Sequence, residues 1–241
     1  MKKIYIILLL LVTVNVANGQ TKLQADSAYV NNDYAGAVEM YEAILANEGE
    51  SADLYYNLGN SYYKMDNIAK AILNYERALL LNPGDGDIRF NLELAQSKAV
   101  DKVVPMSEMF FVTWIKSFMN IMSEKGWSQL AIISFIMMLL AMALYFFGKK
   151  IVLKKIGFIS AICLLMICIT ANVFASNQKE KALNHGTAII MAPSVTVKST
   201  PNETGTDLFI LHEGRKVMIK DNTMKEWKEI QLEDGNAGWV P

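Results

Sequence analysis

Apolar and polar positions follow three different rhythms along this chain. Residues 4–12, 127–147 and 156–174 are nearly unbroken apolar runs. Between the first two runs, apolar residues recur every three to four positions, the spacing of helices buried along one face. Beyond residue 184 the rhythm shortens to two. It shows in TAIIM (187–191), VTVKS (195–199), RKVMIK (215–220), WKEIQL (227–232) and AGWVP (237–241), with turn residues between. That pattern predicts short strands.

The run 127–147 holds no charge over 21 residues, and 156–174 holds none over 19. A helix rising about 1.5 Å per residue crosses ~30 Å of hydrocarbon in about twenty residues, so both are predicted transmembrane helices. The first run has another character. Lys2 and Lys3 precede Ile4–Val12, and the small residues Ala17–Asn18–Gly19 precede Gln20. This predicts a secretory signal peptide over 1–19, with an uncleaved anchor as the alternative. Lys149, Lys150, Lys154 and Lys155 crowd into the connection 148–155, more densely than the lysines on the outer flanks. Short loops rich in lysine stay in the cytoplasm. With a secretory signal ahead, 20–126 and 184–241 are then expected in the periplasm of a bacterium, anchored in its inner membrane.

Just before the first span, 105–126 places Phe110, Phe111, Trp114, Ile115, Phe118, Met119 and Met122 on one helical stripe. Such a helix beside a span lies in the membrane interface or packs as a core helix on the preceding domain.

Residues 20–100 contain an internal repeat. DLYYNLGNSYY (53–63) aligns with DIRFNLELAQS (87–97) at an offset of 34 residues. The same offset pairs Tyr29 with Tyr63, Ala37 with Ala71 and Tyr41 with Tyr75. Residues 52–85 resemble the tetratricopeptide repeat (TPR) family, whose period this is. Leu58, Gly59 and Tyr62 stand on the first helix of that repeat. Ala71, Tyr75 and Ala78 stand on the second, and Pro83 ends it. Small Gly59 and Ala71 let the two helices approach, and Tyr62 and Tyr75 fill the space around them. The first repeat is degraded, with Gln24 at an apolar position and Ala25 in place of glycine. The segment 87–100 reads as a capping helix.

The final segment, 184–241, is similar to the bacterial SH3 domain on Val195–Val197, Pro201, Glu213–Gly214, Trp227, Asp234–Gly235 and Gly238–Trp239–Val240. The expected fold is thus a multidomain membrane protein: an α-helical TPR stack, two transmembrane helices and a C-terminal all-β SH3-like barrel. In this order the modules resemble the BatE-like proteins of the bacterial aerotolerance (Bat) operons. The resemblance implies a membrane-anchored accessory component beside von Willebrand A-type membrane proteins, loosely tied to stress tolerance.

Composition narrows the function. A net charge of −1 over 241 residues gives no general attraction to nucleic acid. Cys163 and Cys168, the two cysteines, lie in one apolar run and offer neither a disulfide framework nor a zinc site. His185 and His212 have no partners at catalytic or metal-binding spacing and read as solvated loop or edge positions. No cofactor and no metal are expected, and the 14 methionines read as apolar filler rather than copper ligands. The chain is expected to be a non-enzymatic adaptor for protein partners. Its candidate groove is Tyr56, Asn57, Asn60, Tyr63, Phe90 and Asn91, where asparagines offer both donor and acceptor to a peptide backbone. The alternative is hydrogen bonding between helices inside the stack, a role that fits Asn57 best. Trp239, with Trp227, is either an SH3 contact surface or core. The alternative function is binding or sensing of peptidoglycan through the SH3-like domain.

Overall fold

The computed structural model describes residues 22–102, 109–184 and 186–241. The expected signal peptide, the first residues of the 105–126 segment and His185 lie outside them. The described residues form two compact units: one joins 22–79 with 85–102 and 186–241, and the other holds 80–84 and 109–184.

The first unit opens with helices α1 (22–30), α2 (Tyr34–Glu48), α3 (Ala52–Lys64), α4 (Ile68–Leu81) and α5 (Gly86–Lys98). The 34-residue period governs even its turns. Asn32 and Asp66, one period apart, both take the left-handed conformation (φ 62° and 59°), which short polar side chains tolerate best. The next residue caps the following helix in each case. Asp33 Oδ1 accepts from the Gly36 amide at 3.0 Å, and Asn67 Oδ1 from the Lys70 amide at 3.3 Å. Asp85 caps α5 through the amides of Asp87 and Ile88.

The core of the stack contains Ala37, Tyr41, Ile44, Leu58, Ala71, Ile72, Tyr75 and Ala78, all at most 2% exposed. A Cβ on Gly59 would sit 2.7 Å from two ring carbons of Tyr75, so the close approach of α3 and α4 requires glycine there. Ala25 is fully buried and keeps the equivalent site of the degraded repeat small.

The C-terminal part of this unit is an antiparallel sheet of six strands: β1 (Thr187–Ile189), β2 (Ser194–Lys198), β3 (Asp207–His212), β4 (Lys216–Asp221), β5 (Lys228–Gln231) and β6 (Ala237–Val240). Their order is β1-β4-β5-β6-β2-β3. The expected barrel is not closed: β1 and β3 are the two edges of an open sheet. Val197, Leu211, Val217, Ile230 and Val240 form its core, one from each strand except β1, as the period of two requires.

The second unit contains α6 (Phe110–Met119), α7 (Glu124–Phe147) and α8 (Ile151–Leu183). The expected amphipathic segment is divided. It breaks at 120–123 because Ser123 starts a new helix, its Oγ accepting from the Gly126 amide. Helix α8 begins at Ile151, so Lys154 and Lys155 lie on its first turns and the connection shrinks to 148–150. It continues to Leu183 because no proline or glycine interrupts SNQKEKAL.

Helices α7 and α8 are long and apolar enough to cross a membrane, and only 11% of each apolar window is buried. A core helix of a water-soluble protein would be mostly buried; these present Ile133, Ile136, Leu140, Ile159, Met166 and Val173 outward. They meet along small residues. A Cβ on Gly157 would lie 2.7 Å from the carbonyl of Ala141, the close approach that small residues permit in membrane hairpins. At the other end, Met119 O accepts from Trp127 Nε1 at 2.8 Å and from Gln178 Nε2 at 3.0 Å. Around this elbow Phe174 meets Phe118 and Trp127 edge to face, and those two rings tilt against each other. Phe110 and Trp114 on α6 are each 74% exposed.

Candidate functional site

The candidate groove residues stand on α3 and α5, which with α1 are the first helices of the successive repeats. Two hydrogen-bonded clusters join them, and the clusters are copies of each other one period apart. In the first, Asp26 Oδ1 accepts from Tyr41 Oη at 2.6 Å and from Asn57 Nδ2 at 3.3 Å. In the second, Asn60 Oδ1 accepts from Tyr75 Oη at 2.8 Å and from Asn91 Nδ2 at 2.9 Å. Asp26, Tyr41 and Asn57 each precede their counterparts by 34 residues. Each cluster ties the first helix of one repeat to its own second helix and to the first helix of the next.

The clusters differ in charge. Lys22 Nζ lies 2.8 Å from Asp26 Oδ2. Burial alone would raise the Asp26 carboxyl, but hydrogen bonds from Lys22, Tyr41 and Asn57 and the charge of Lys22 outweigh it and leave the group below its ordinary range. Burial and the bond to Asp26 push the Tyr41 phenol well above its usual value. Burial, with Tyr56, Tyr29 and Tyr63 close by, does the same to Tyr75. Both phenols therefore remain donors at any physiological pH.

The predicted residues separate accordingly. Tyr56, Asn60 and Asn91 come together, since Asn91 Nδ2 also donates to Tyr56 Oη at 3.0 Å. Asn57 belongs to the other cluster. Tyr63 lies under the ammonium of Lys98, 4.3 Å from its ring centre, and Lys98 also approaches Asp66 at 3.7 Å. Phe90 is 64% exposed. Internal bonding occupies Asn60 Oδ1 and Asn91 Nδ2. Asn60 Nδ2 and Asn91 Oδ1 keep no partner among the described residues. One free amide nitrogen and one free carbonyl oxygen thus sit on the joined side chains of α3 and α5, a pairing that suits a peptide group. Asp26, Lys22 and Tyr41 were not anticipated as members of this arrangement, although the offset linking Asp26 to Asn60 was present in the chain.

On the sheet, Trp239 is half-buried and pairs in register with Lys198 and Glu229. Trp227 is half-buried as well, and neither tryptophan belongs to the core cluster. His212 ends the edge strand β3, and its Nδ1 lies 2.8 Å from Asp101 Oδ1. Among the described residues, no group of three or more His, Cys, Asp or Glu side chains is placed to hold a metal ion.

Helix pairs repeating with these contacts define a helical repeat scaffold. The family profile of the tetratricopeptide repeat matches residues 52–85, so the chain contains a TPR unit, a protein-interaction fold rather than a catalytic one. Comparison with curated proteins finds no match for the chain.

Proposed function

We propose that the chain is a non-enzymatic adaptor, anchored in a bacterial inner membrane by the α7–α8 hairpin, that receives a protein partner on the Tyr56–Asn60–Asn91 cluster. The observation that carries this reading is the unpartnered amide pair, Asn60 Nδ2 and Asn91 Oδ1, with exposed Phe90 next to Asn91 in the chain. A peptide backbone satisfies both amide groups while Phe90 gains apolar contact, and exposed aromatics supply much of the energy at such surfaces. Lys149, Lys150, Lys154 and Lys155 support a cytoplasmic turn, with the repeat stack and the sheet in the periplasm. The exposed aromatic residues of α6 support its lying in the interface, with the elbow at Met119 setting its depth. The resemblance to the Bat family makes von Willebrand A-type membrane proteins the expected partners, in an accessory role linked to stress tolerance.

Affinity purification of the tagged chain from native membranes in mild detergent tests the reading. A membrane protein should come with it in fixed proportion and be lost with Phe90→Ala or Asn60→Ala. Full recovery by both variants would refute the groove. The second reading, peptidoglycan binding by the sheet, is favoured by the partial exposure of Trp239. It requires that the detergent-solubilised chain sediment with insoluble peptidoglycan and that Trp239→Ala abolish this.

A further inference from the structure

The sheet and the stack belong to one unit although more than a hundred residues separate their contacting side chains, and the contact between them is chemically specific. Asp101, just beyond α5, is gripped at two points of β3: its Oδ2 accepts from the His212 amide at 2.7 Å, and its Oδ1 lies 2.8 Å from His212 Nδ1. Lys216, at the start of β4, donates to Glu76 of α4 at 2.6 Å. Between these pairs runs the β3–β4 turn. Gly214 there has φ +83°, and a Cβ on it would lie 3.0 Å from Ile72 Cδ1 and 3.7 Å from Ala99 Cβ. Arg215 is only 5% exposed and donates through Nη1 to Lys102 O at 3.2 Å. A guanidinium is rarely buried so deeply without a surface built around it.

The stack needs such a surface. It ends on a single helix, α5, where a longer array would add another helix pair, and repeat arrays need their terminal face covered. We propose that the C-terminal sheet is the terminal cap of the repeat stack, docked through the turn His212–Lys216 onto α4 and residues 99–102, so that the two modules act as one body. This goes beyond the adaptor reading and does not depend on a membrane. If α7 and α8 do cross one, the docking requires an even number of crossings, so that both modules lie on the same side.

Hydrogen exchange on the full chain in detergent micelles tests the cap. Lys216→Glu and Glu76→Lys, each alone, should raise exchange at least about tenfold in 99–102 and in 212–216 together, and the double charge swap should return both to within about twofold of the parent. Asp101→Ala, which touches neither hydrophobic core, should produce the same paired loss should a lysine or glutamate variant unfold its own module. Unchanged exchange in the single variants, a change confined to one segment, or a swap that restores neither would overturn the cap. None of these outcomes depends on partner capture, so failure of the adaptor reading would leave the cap standing.

Discussion

Removing one hydroxyl from each of the two copied clusters separates the contribution of charge from that of geometry. Tyr41→Phe deletes the donor to Asp26 Oδ1, and Tyr75→Phe deletes the donor to Asn60 Oδ1. Both rings are 1% exposed, so packing is unchanged in either variant. The acceptor at Asn60 is neutral and keeps its bond from Asn91, so Tyr75→Phe should cost about 1 kcal/mol, the net worth of a neutral hydrogen bond. The acceptor at Asp26 is ionised, and bonds to charged groups contribute about 1.5–3 kcal/mol. The Asp26 side chain is 35% exposed, so solvent screening places Tyr41→Phe near the lower end, about 1.5 kcal/mol. In a stack of this size 1 kcal/mol moves the midpoint by roughly 4–8 °C.

The assay is thermal unfolding of the full chain in micelles, followed by helical circular dichroism and by exchange in α1 and α3. Acid provides the control. The Asp26 carboxyl is depressed in the folded state, so its contribution is present above the unfolded-state value and is lost as the pH falls through the folded one. The excess cost of Tyr41→Phe over Tyr75→Phe should vanish over that interval. Equal costs at neutral pH, or a difference that persists after Asp26 is protonated, would refute the assignment of charge to the first cluster alone.

Three further outcomes follow from the close helix approaches in each unit and from the proposed orientation. Gly157→Leu should separate α7 from α8, because its Cβ meets the Ala141 carbonyl at 2.7 Å; a cysteine pair across the hairpin should then crosslink poorly, and unchanged crosslinking would disprove the close packing. Gly59→Val should cost about 1–3 kcal/mol by overpacking against Tyr75, read as a lower unfolding midpoint, and a neutral result would show that the ring can move. Reporter fusions active only in the periplasm should work after residues 100 and 184 and stay silent at residue 152. Activity at 152 would invert the proposed orientation.

The helical repeat and the two long apolar helices were legible because their signals lie along the chain. A 34-residue period, small residues at Gly59 and Ala71, and two charge-free runs are properties of neighbours along the chain. The capping turns at Asn32–Asp33 and Asp66–Asn67 obey the same local logic. The candidate site was legible only by residue type. Asparagine at 57, 60 and 91 announces hydrogen bonding, but whether an amide faces a partner or another repeat depends on how the helices stack. The structure divides the three, giving Asn57 to Asp26 and leaving half of each other amide free. Closure of the sheet was equally beyond a strand pattern, since alternation marks the faces of a strand but not which edges meet.

The sequence by itself determined the kinds of element in this protein and their order: helix pairs, two long apolar helices, then short strands. Those follow from side-chain volume, charge and period, which act over a few residues. Tertiary structure alone decided which polar groups are consumed and which remain. Asp26 meets Asn57, Asn60 meets Asn91, and Asp101 meets His212 across intervals of 31, 31 and 111 residues. A hydrogen bond forms only within about 3 Å and in narrow directions. No pattern along the chain specifies such distances until the helices and the sheet have packed.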